Sequence, residues 1–225
     1  PAFHLFETMG IVSGAIPRRA RHLSRLAKSA AYWSFAFDIH AAETYLDALL
    51  SEVAEGATSG DSETQTLRLR LQLARSGAIT HRCEPIELSS SQTSLSSEYP
   101  VVELALVQSA VEADNAYLAH KTSRREAYDR AVREAPAGCE PIMFNTVGNV
   151  TESAIANIVY QVGGELFTPP LGDGLLPGVL RDELLNERTI SERALPVTEL
   201  GAVEAFWLIN SLRGWRKAVL HADSA

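Results

Sequence analysis

A lysine, a glutamate and a glycine-bounded helix start are the features of this sequence whose types and spacing could do chemistry. Lys121 stands in His-Lys-Thr-Ser-Arg-Arg over residues 120–125, Glu152 ends Val-Thr-Glu over 150–152, and Gly-Leu-Leu-Pro-Gly over 174–178 predicts the start of a helix. A lysine amine forms a Schiff base with an aldehyde, a carboxylate pairs with a pyridine nitrogen, and a helix start holds a phosphate. A pyridoxal phosphate site can be built from these parts. A lone surface lysine is the ordinary alternative for Lys121.

The elements that must position these residues begin in the N-terminal half, where the sequence predicts both strands and helices. Strict alternation over residues 66–73 predicts a half-buried strand, and a turn at Ser76-Gly77 leads into its partner. An N-terminal strand ends before a turn at Ser13-Gly14. Apolar residues at helical spacing predict two helices in between. The predicted elements are a strand over 3–9, helices over 19–35 and 41–53, and strands over 66–73 and 78–82.

A serine-rich stretch over residues 89–97 predicts a domain boundary, with one domain over 1–92 and a second over 93–225 that carries Lys121. The second half mixes strands with two helices. The predicted strands begin near 100 and cover 141–144, 155–161, 165–167, 206–209 and 217–220, and the predicted helices cover 126–133 and 179–185. This order indicates a two-domain mixed α/β or α+β fold with largely antiparallel pairing.

Composition excludes several classes of function. The 225 residues carry a formal net charge of −8, which argues against a nucleic-acid partner. Local arginine clusters in an acidic chain suit a small anionic ligand better than a polymer. No stretch approaches the roughly 18 unbroken apolar residues that span a bilayer, and the first residues lack a signal-peptide pattern, so we expect no membrane partner and a cytoplasmic location. Cys83, Cys139 and the six histidines show no metal-ligand spacing, so no metal site is expected.

Several motifs in a fixed order resemble the class IV (fold type IV) pyridoxal phosphate enzymes, which include branched-chain and D-amino-acid aminotransferases and 4-amino-4-deoxychorismate lyases. The motifs are Phe-Glu-Thr-Met over 6–9, the run over 120–129, Val-Thr-Glu over 150–152, Gly-Leu-Leu-Pro-Gly over 174–178 and Asn-Ser-Leu-Arg-Gly-Trp over 210–215. The resemblance is closest to the lyase domain of fused aminodeoxychorismate synthase/lyase proteins. It implies the two-domain fold of the D-amino-acid aminotransferase type and a homodimer.

The resemblance also implies roles for single residues. Lys121 is the Schiff-base lysine and proton shuttle, and Glu152 pairs with the pyridine nitrogen so that the ring accepts carbanion charge. Arg25, in a His-x-x-Arg-Leu pattern, binds the cofactor phosphate with its fork of donors. The other phosphate-binding candidates are the backbone amides of Val179 and Leu180 and the side chains of Asn210 and Ser211.

Substrate-binding residues are implied by family placement and charge. Thr8 matches a position near the reacting centre, and Arg125 and Arg213 are candidates for carboxylate recognition. Gly10 is a departure, because many relatives carry an arginine there.

These implications favour a lyase that converts 4-amino-4-deoxychorismate, a small anionic amine, into 4-aminobenzoate and pyruvate for folate synthesis. A class IV aminotransferase of the branched-chain or D-amino-acid type is the alternative, because both chemistries use the same cofactor site. A third hypothesis is an inactive domain that binds the cofactor and serves an interaction.

Overall fold

The computed structural model describes residues 3–56, 66–87 and 100–222, which form two compact units. The first unit takes the described residues up to Glu87 together with Lys121–Ser123, and the second takes the rest. The boundary predicted between residues 92 and 93 lies outside the described residues. Lys121 was expected in the C-terminal domain, whereas its contacts group it with the first unit.

The first unit packs two helices against one face of a three-stranded antiparallel sheet in the order β1-β2-β3. Its elements are β1 (Leu5–Ile11), α1 (Arg19–Trp33), α2 (Ile39–Gly56), β2 (Leu67–Leu73) and β3 (Ile79–Pro85). A turn with Gly14 at φ 75° follows β1, as the sequence predicted. This conformation is open to glycine and strained for most other residues.

The alternating leucines of β2 explain why this sheet has one apolar face. Leu69, Leu71 and Leu73 are fully buried in the cluster that also holds Leu23 of α1 and Leu46 of α2. Each such side chain contributes about 1.5–3 kcal/mol by leaving water. The residues between the leucines therefore lie on the opposite face of the sheet, since successive strand side chains alternate.

The second unit is built on a seven-stranded mixed sheet with strand order β5-β4-β10-β9-β6-β7-β8. Its strands are β4 (Val102–Leu106), β5 (Glu140–Ile142), β6 (Asn157–Val162), β7 (Glu165–Thr168), β8 (Ser191–Glu192), β9 (Ala205–Asn210) and β10 (Gly214–Leu220). The expected largely antiparallel pairing is confirmed for five of the eight strand pairs in the described residues. Pairs β4–β5, β4–β10 and β7–β8 are parallel, because helical segments carry the chain back before the next strand pairs.

Among the described residues, the α-helices that accompany this sheet are α3 (Ala116–Ala119), α4 (Glu126–Glu134) and α5 (Val179–Asn186). Tyr128 and Ala131 of α4 pack in a cluster with Met143. Leu180 and Leu184 of α5 pack in another cluster with Trp207. These clusters fix the helices that carry two of the predicted site segments, the start of α4 and the start of α5.

Within the described ranges, none of the helices has the length and apolar character that crossing a membrane requires.

Candidate functional site

In the first unit, Lys121 is held by backbone pairing with the start of β1. The amide of Phe6 donates to the carbonyl of Lys121 over 3.1 Å, and the amide of Ser123 donates to the carbonyl of His4 over 2.9 Å. Leu5 and Thr122 form an antiparallel bridge between these bonds. Alternation then places Lys121 on the same side as Phe6, and its Nζ lies 4.9 Å from the centre of the Phe6 ring. The backbone from Lys121 to Ser123 is therefore held against the start of β1.

Arg25, on α1, is anchored by a carboxylate that the sequence did not single out. Its Nε donates to Glu7 Oε1 over 2.9 Å and its Nη2 donates to Glu7 Oε2 over 2.5 Å. His22, one turn earlier on α1, contacts Glu7 Oε2 through Nδ1 at 2.7 Å. Glu7 and His22 are both buried, while Arg25 is half-buried. The guanidinium is thus held in one position by a two-atom ion pair.

The charge states in this group follow from burial and from neighbouring charges. Burial raises the pKa of Glu7, but the Arg25 charge and the hydrogen bonds from His22 and Arg25 outweigh it and lower that pKa to about 2. Burial lowers the pKa of His22 below its ordinary value, against the opposing effect of Glu7. At neutral pH Glu7 is therefore ionised and His22 neutral. Because an ionised carboxylate only accepts, the His22 proton is assigned to Nδ1.

Thr8 and Gly10 lie on β1, on the face opposite the leucine core. Thr8 is half-buried and pairs across the strands with Arg70 of β2. The predicted residues Lys121, Arg25 and Thr8 thus all belong to the first unit, together with Glu7, His22 and Arg70.

In the second unit, Glu152 is buried, and the donors to its carboxylate include Tyr128, Asn157 and the amide of Leu176. The Tyr128 hydroxyl donates to Oε1 over 2.7 Å, and the amide of Leu176 donates to the same oxygen over 2.9 Å. Asn157 Nδ2 donates to Oε2 over 3.1 Å. Three donors around one buried carboxyl stabilise its ionised form, because only that form accepts at every position.

Asn157 connects Glu152 to the start of α5. Its Nδ2 also donates to the carbonyl of Leu176 over 3.0 Å, and its Oδ1 lies against Gly178 so closely that a Cβ at Gly178 would be 1.8 Å from it. Gly178 is the N-cap residue of α5 and, without a side chain, gives no side-chain cap to the helix. The following amides, of Val179 and Leu180, begin the helix and are of the kind that bind anions.

Asn210 is a turn residue at the end of β9. Its Oδ1 accepts from the amides of Leu212 and Arg213 over 3.1 and 2.8 Å, and its Nδ2 donates to the carbonyl of Ile155 over 3.2 Å. Each amide atom of Asn210 therefore has a backbone partner. Ser211 and Arg213 follow it in the turn between β9 and β10 and are half-buried. A direct contact of Asn210 or Ser211 with a phosphate remains a prediction.

Arg125 is engaged inside the second unit. Its Nη2 donates to the carbonyl of Ala154 over 2.7 Å, and its guanidinium carbon lies 4.6 Å from the centre of the Tyr128 ring. These contacts join the segment after Lys121 to the segment after Glu152. They identify Arg125 as a residue that supports the surroundings of Glu152, and recognition of a substrate carboxylate by Arg125 or Arg213 stays a prediction.

Four supporting residues were missed as site residues: Glu7, His22, Tyr128 and Asn157. Glu7 and His22 stand in motifs that the sequence singled out, Asn157 lies five residues after Glu152, and Tyr128 stands in the run after Lys121. Nothing in their spacing shows which carboxylate or cation each one touches. The fold also brings the donor atoms of Glu103, Cys139 and His221 within 4.8 Å of one another. There Glu103 Oε2 is 3.8 Å from the thiol and 3.9 Å from the imidazole.

Each unit carries donors that suit groups of pyridoxal phosphate. In the first unit the Lys121 amine suits the aldehyde, and the fixed Arg25 guanidinium suits a phosphate dianion. In the second unit the buried Glu152 carboxylate suits a protonated ring nitrogen, and the start of α5, which has no side-chain cap, suits a phosphate.

Comparison with known proteins also indicates a pyridoxal phosphate enzyme. Residues 4–219 match the family described as amino-transferase class IV. A protein of Schizosaccharomyces pombe named "Putative aminodeoxychorismate lyase" is 28% identical over 223 residues, which are 96% of this chain and 89% of that protein. A solved structure from Mesorhizobium loti, named as a "Putative amino-acid aminotransferase", is 35% identical with a TM-score of 0.80, covering 97% of this chain and 100% of that one. The 4-amino-4-deoxychorismate lyase of Pseudomonas aeruginosa is 22% identical with a TM-score of 0.70, covering 96% of this chain and 82% of that one, and shares the fold.

Proposed function

This chain belongs to the class IV aminotransferase family and is thus a pyridoxal phosphate-dependent enzyme, and we propose that it is a 4-amino-4-deoxychorismate lyase. The products are 4-aminobenzoate, a precursor for folate synthesis, and pyruvate. The Schizosaccharomyces pombe relative, which is named for this activity and aligns over nearly the whole chain, supports this choice over other reactions of the family.

Bound pyridoxal phosphate supplies an aldehyde that bonds to amines and a pyridine ring that accepts electron pairs. Lys121 is the residue that would hold the aldehyde of the bound cofactor. Its amine then removes the proton from the amine-bearing carbon of the substrate. Loss of the enolpyruvyl ether as pyruvate leaves an aromatic ring, and Lys121 returns a proton. The sheet pairing around Lys121 supports this role, because it fixes the backbone from which the amine reaches.

Glu152 holds a proton at the ring nitrogen, and the observation that carries the proposal is the three-donor environment of its carboxylate. An ionised carboxylate in a buried position is stabilised only where donors meet it, and this one remains negative to face a cationic ring nitrogen. A surface glutamate in an ordinary turn has no need of three fixed donors.

Arg25 and the first amides of α5 hold the phosphate. Glu7 fixes the Arg25 guanidinium, and Gly178 leaves the start of α5 without a side-chain cap, so both groups present N–H donors to a dianion. We also propose that the side chains of Asn210 and Ser211 bind the phosphate.

Turnover of 4-amino-4-deoxychorismate by the cofactor-loaded protein tests the function. We expect 4-aminobenzoate and pyruvate in equal amounts, and no turnover by Lys121→Ala. Lys28→Ala is the matched control, because Lys28 is an exposed lysine on α1. Retention of the wild-type rate by Lys121→Ala would refute the role of the lysine.

A class IV aminotransferase is the second candidate, favoured by the name of the 35% identical Mesorhizobium loti protein. In that case Lys121 would move a proton at the amine-bearing carbon of the substrate, and neither product of the lyase reaction would form. Incubation with alanine, glutamate or a D-amino acid converts the cofactor to its amine form, which is read from its absorbance. A protein that holds the cofactor and reacts with no amine would instead be the inactive interaction domain.

The proposal includes a homodimer in the cytoplasm, which acts on a small anionic amine and on neither nucleic acid nor membrane. The family resemblance supports the dimer. Light scattering of the active protein is expected to give twice the mass of one chain, and an active monomer would contradict it.

A further inference from the structure

The side chains of Glu103, Cys139 and His221 come together on the larger sheet, and none of them is assigned to the cofactor or the substrate. All three belong to the second unit, and their donor atoms lie within 4.8 Å of one another. Glu103 Oε2 is 3.8 Å from the thiol of Cys139 and 3.9 Å from Nε2 of His221. The distance to the imidazole is longer than a hydrogen bond, so these two groups are neighbours without being bonded to each other.

Three adjacent strands hold these side chains in place. Glu103 belongs to β4, Cys139 directly precedes β5, and His221 directly follows β10. In the sheet β4 lies between β5 and β10 and is hydrogen-bonded to both. The amide of His221 donates to the carbonyl of Leu104 over 2.8 Å, which extends the pairing to this residue. Since the backbone is already ordered, a ligand that joins the three side chains has little chain entropy to overcome.

The spacing of the donor atoms suits a small tetrahedral ion. Zinc binds thiolate sulfur, imidazole nitrogen and carboxylate oxygen at about 2.0–2.3 Å, which places neighbouring ligand atoms roughly 3.3–3.5 Å apart. The separations of 3.8 and 3.9 Å at Glu103 Oε2 are slightly larger. Movements of roughly half an ångström in these partly exposed side chains bring the atoms to coordination distance.

The types of donor atom select among cations. Thiolate and imidazole favour zinc and similar transition-metal ions, whereas magnesium and calcium prefer oxygen ligands. A thiolate and a carboxylate together carry two negative charges, which match a divalent ion. The Glu103 side chain is 58% exposed, so water reaches the cluster and can fill a fourth position on the ion.

A metal explains the pairing of thiol and carboxylate better than a reactive cysteine does. Burial raises the pKa of the Cys139 thiol, and so do the charge of Glu103 and its hydrogen bond with the thiol. A nucleophilic cysteine needs the opposite surroundings, because the thiolate is the reactive form. A divalent ion between the two groups attracts both negative charges and favours the thiolate as a ligand.

We propose that Glu103, Cys139 and His221 bind a zinc ion, with water as the fourth ligand, and that the ion ties β10, β4 and β5 together. This site is separate from the cofactor and from the proposed lyase reaction. The sequence predicted no metal site, because the spacings that indicate one place pairs of ligands a few residues apart. Here Glu103 and Cys139 are already 36 residues apart, and only the sheet brings them together.

Zinc titration of the tag-free, cofactor-loaded protein tests the proposal. Competition with a chromophoric chelator gives the stoichiometry and the dissociation constant. The variants are Glu103→Gln, Cys139→Ser and His221→Gln. The matched controls are Cys83→Ser and His81→Gln, because they change the same residue types on β3, outside the cluster.

We expect one zinc ion per chain in the wild type and in both controls. Cys139→Ser and His221→Gln should raise the dissociation constant at least about 100-fold, because losing a residue that merely supports a ligand already costs roughly 10- to 100-fold. Glu103→Gln should lose less, since an amide oxygen can still coordinate but brings no charge. Wild-type affinity in folded Cys139→Ser overturns the proposal, and so does a wild type that binds no zinc.

Alkylation of the wild type answers the same question without relying on a variant. Zinc should slow the reaction of iodoacetamide with Cys139, because a coordinated thiolate is no longer a free nucleophile, and should leave the rate at Cys83 unchanged. Peptide mass spectrometry reads both thiols in one sample. Zinc should also raise the melting temperature of the wild type but not of Cys139→Ser, because the ion binds the folded protein. Equal alkylation of Cys139 with and without zinc overturns the proposal.

Discussion

Glu7 shows how one buried charge can set the position of another. Its carboxyl is 1% exposed and accepts from Arg25 at two atoms and from His22 at one. Surface ion pairs contribute little because water and salt screen them, whereas a buried charge without partners costs several kcal/mol. The position of the Arg25 guanidinium therefore depends on Glu7, and any ligand bound by Arg25 depends on Glu7 indirectly.

Glu7→Gln should destabilise the protein in a pH-dependent way. The folded pKa of about 2 lies below the ordinary 4.5, so the ionised carboxyl stabilises the folded state above pH 4.5 and this contribution is lost as the pH falls towards 2. The shift corresponds to about 3 kcal/mol near neutral pH. Urea unfolding of both proteins between pH 7 and pH 3 should show a stability gap that narrows with acidification. A gap that is independent of pH would contradict the assignment.

Tyr128→Phe should weaken cofactor binding while leaving the fold intact. The variant removes the hydroxyl that donates to Glu152 Oε1, and the other two donors remain. One lost hydrogen bond to a charged group costs about 1–3 kcal/mol, so the dissociation constant of the cofactor should rise roughly tenfold. Absorbance titration with pyridoxal phosphate measures it. Tyr32→Phe is the control, because Tyr32 is 60% exposed and its ring contact with Trp33 does not need the hydroxyl. Equal affinity in Tyr128→Phe and the wild type would show that this bond does not support the cofactor.

Residue type, motif order and the family resemblance singled out Lys121, Glu152 and Arg25 as candidates, but they did not reveal the residues that hold them. Glu7 reads in the sequence as one polar position of a strand, and Tyr128 as one apolar position of a helix. Their partners lie 18 and 24 residues away along the chain, and only the fold determines that these side chains meet.

At the scale of elements, the start of α5 depends on a glycine for a steric reason. Gly178→Ala would place a Cβ 1.8 Å from Asn157 Oδ1, so either the start of the helix or the Asn157 side chain must move. Because Asn157 donates to Glu152, we expect both lower stability and weaker cofactor binding. Thermal unfolding and absorbance titration measure the two effects. Gly201→Ala is the control, since no heavy atom lies within 4 Å of the added Cβ there. Similar behaviour of both variants would contradict the close approach at Gly178.

Most helices and strands were predictable because each depends on a local pattern. Alternation predicted a strand over 66–73, and the structure has β2 at Leu67–Leu73. Helical spacing predicted a helix over 19–35, and the structure has α1 at Arg19–Trp33. The four-residue α3 and the two-residue β8 were missed, because elements this short bury too few apolar residues to leave a period. The parallel pairs of the larger sheet were missed because alternation within a strand does not specify which strand lies beside it.

At the scale of the whole molecule, the chain supplies the first unit from two separate stretches. Residues up to Glu87 form its sheet and helices, and Lys121–Ser123 return to it from the chain of the second unit. The predicted division into two consecutive halves did not include the return of residues 121–123 to the first unit. Three residues are too few to show a hydrophobic pattern in the sequence. The lysine segment is thus an integral part of the first unit's sheet.

Hydrogen exchange of backbone amides tests that integration. The amides of Phe6 and Ser123 donate to Lys121 and His4 across this pairing, so we expect them to exchange slowly and at similar rates. Gly148 is a useful comparison, because its amide donates a hydrogen bond to the carbonyl of Asn145 within a local turn. Exchange of Ser123 as fast as that of an exposed turn would contradict the pairing.

The pairing of residues 4–6 with 121–123 has a consequence for biosynthesis. A ribosome releases the residues of β1, β2 and β3 well before it reaches Lys121, so the first sheet can begin to fold with one margin of β1 still bare. Joining segments more than one hundred residues apart is slow, since the loop must close before the pairing rewards it. The nascent chain therefore gains Lys121 late, and until then that margin of β1 is not shielded from other chains.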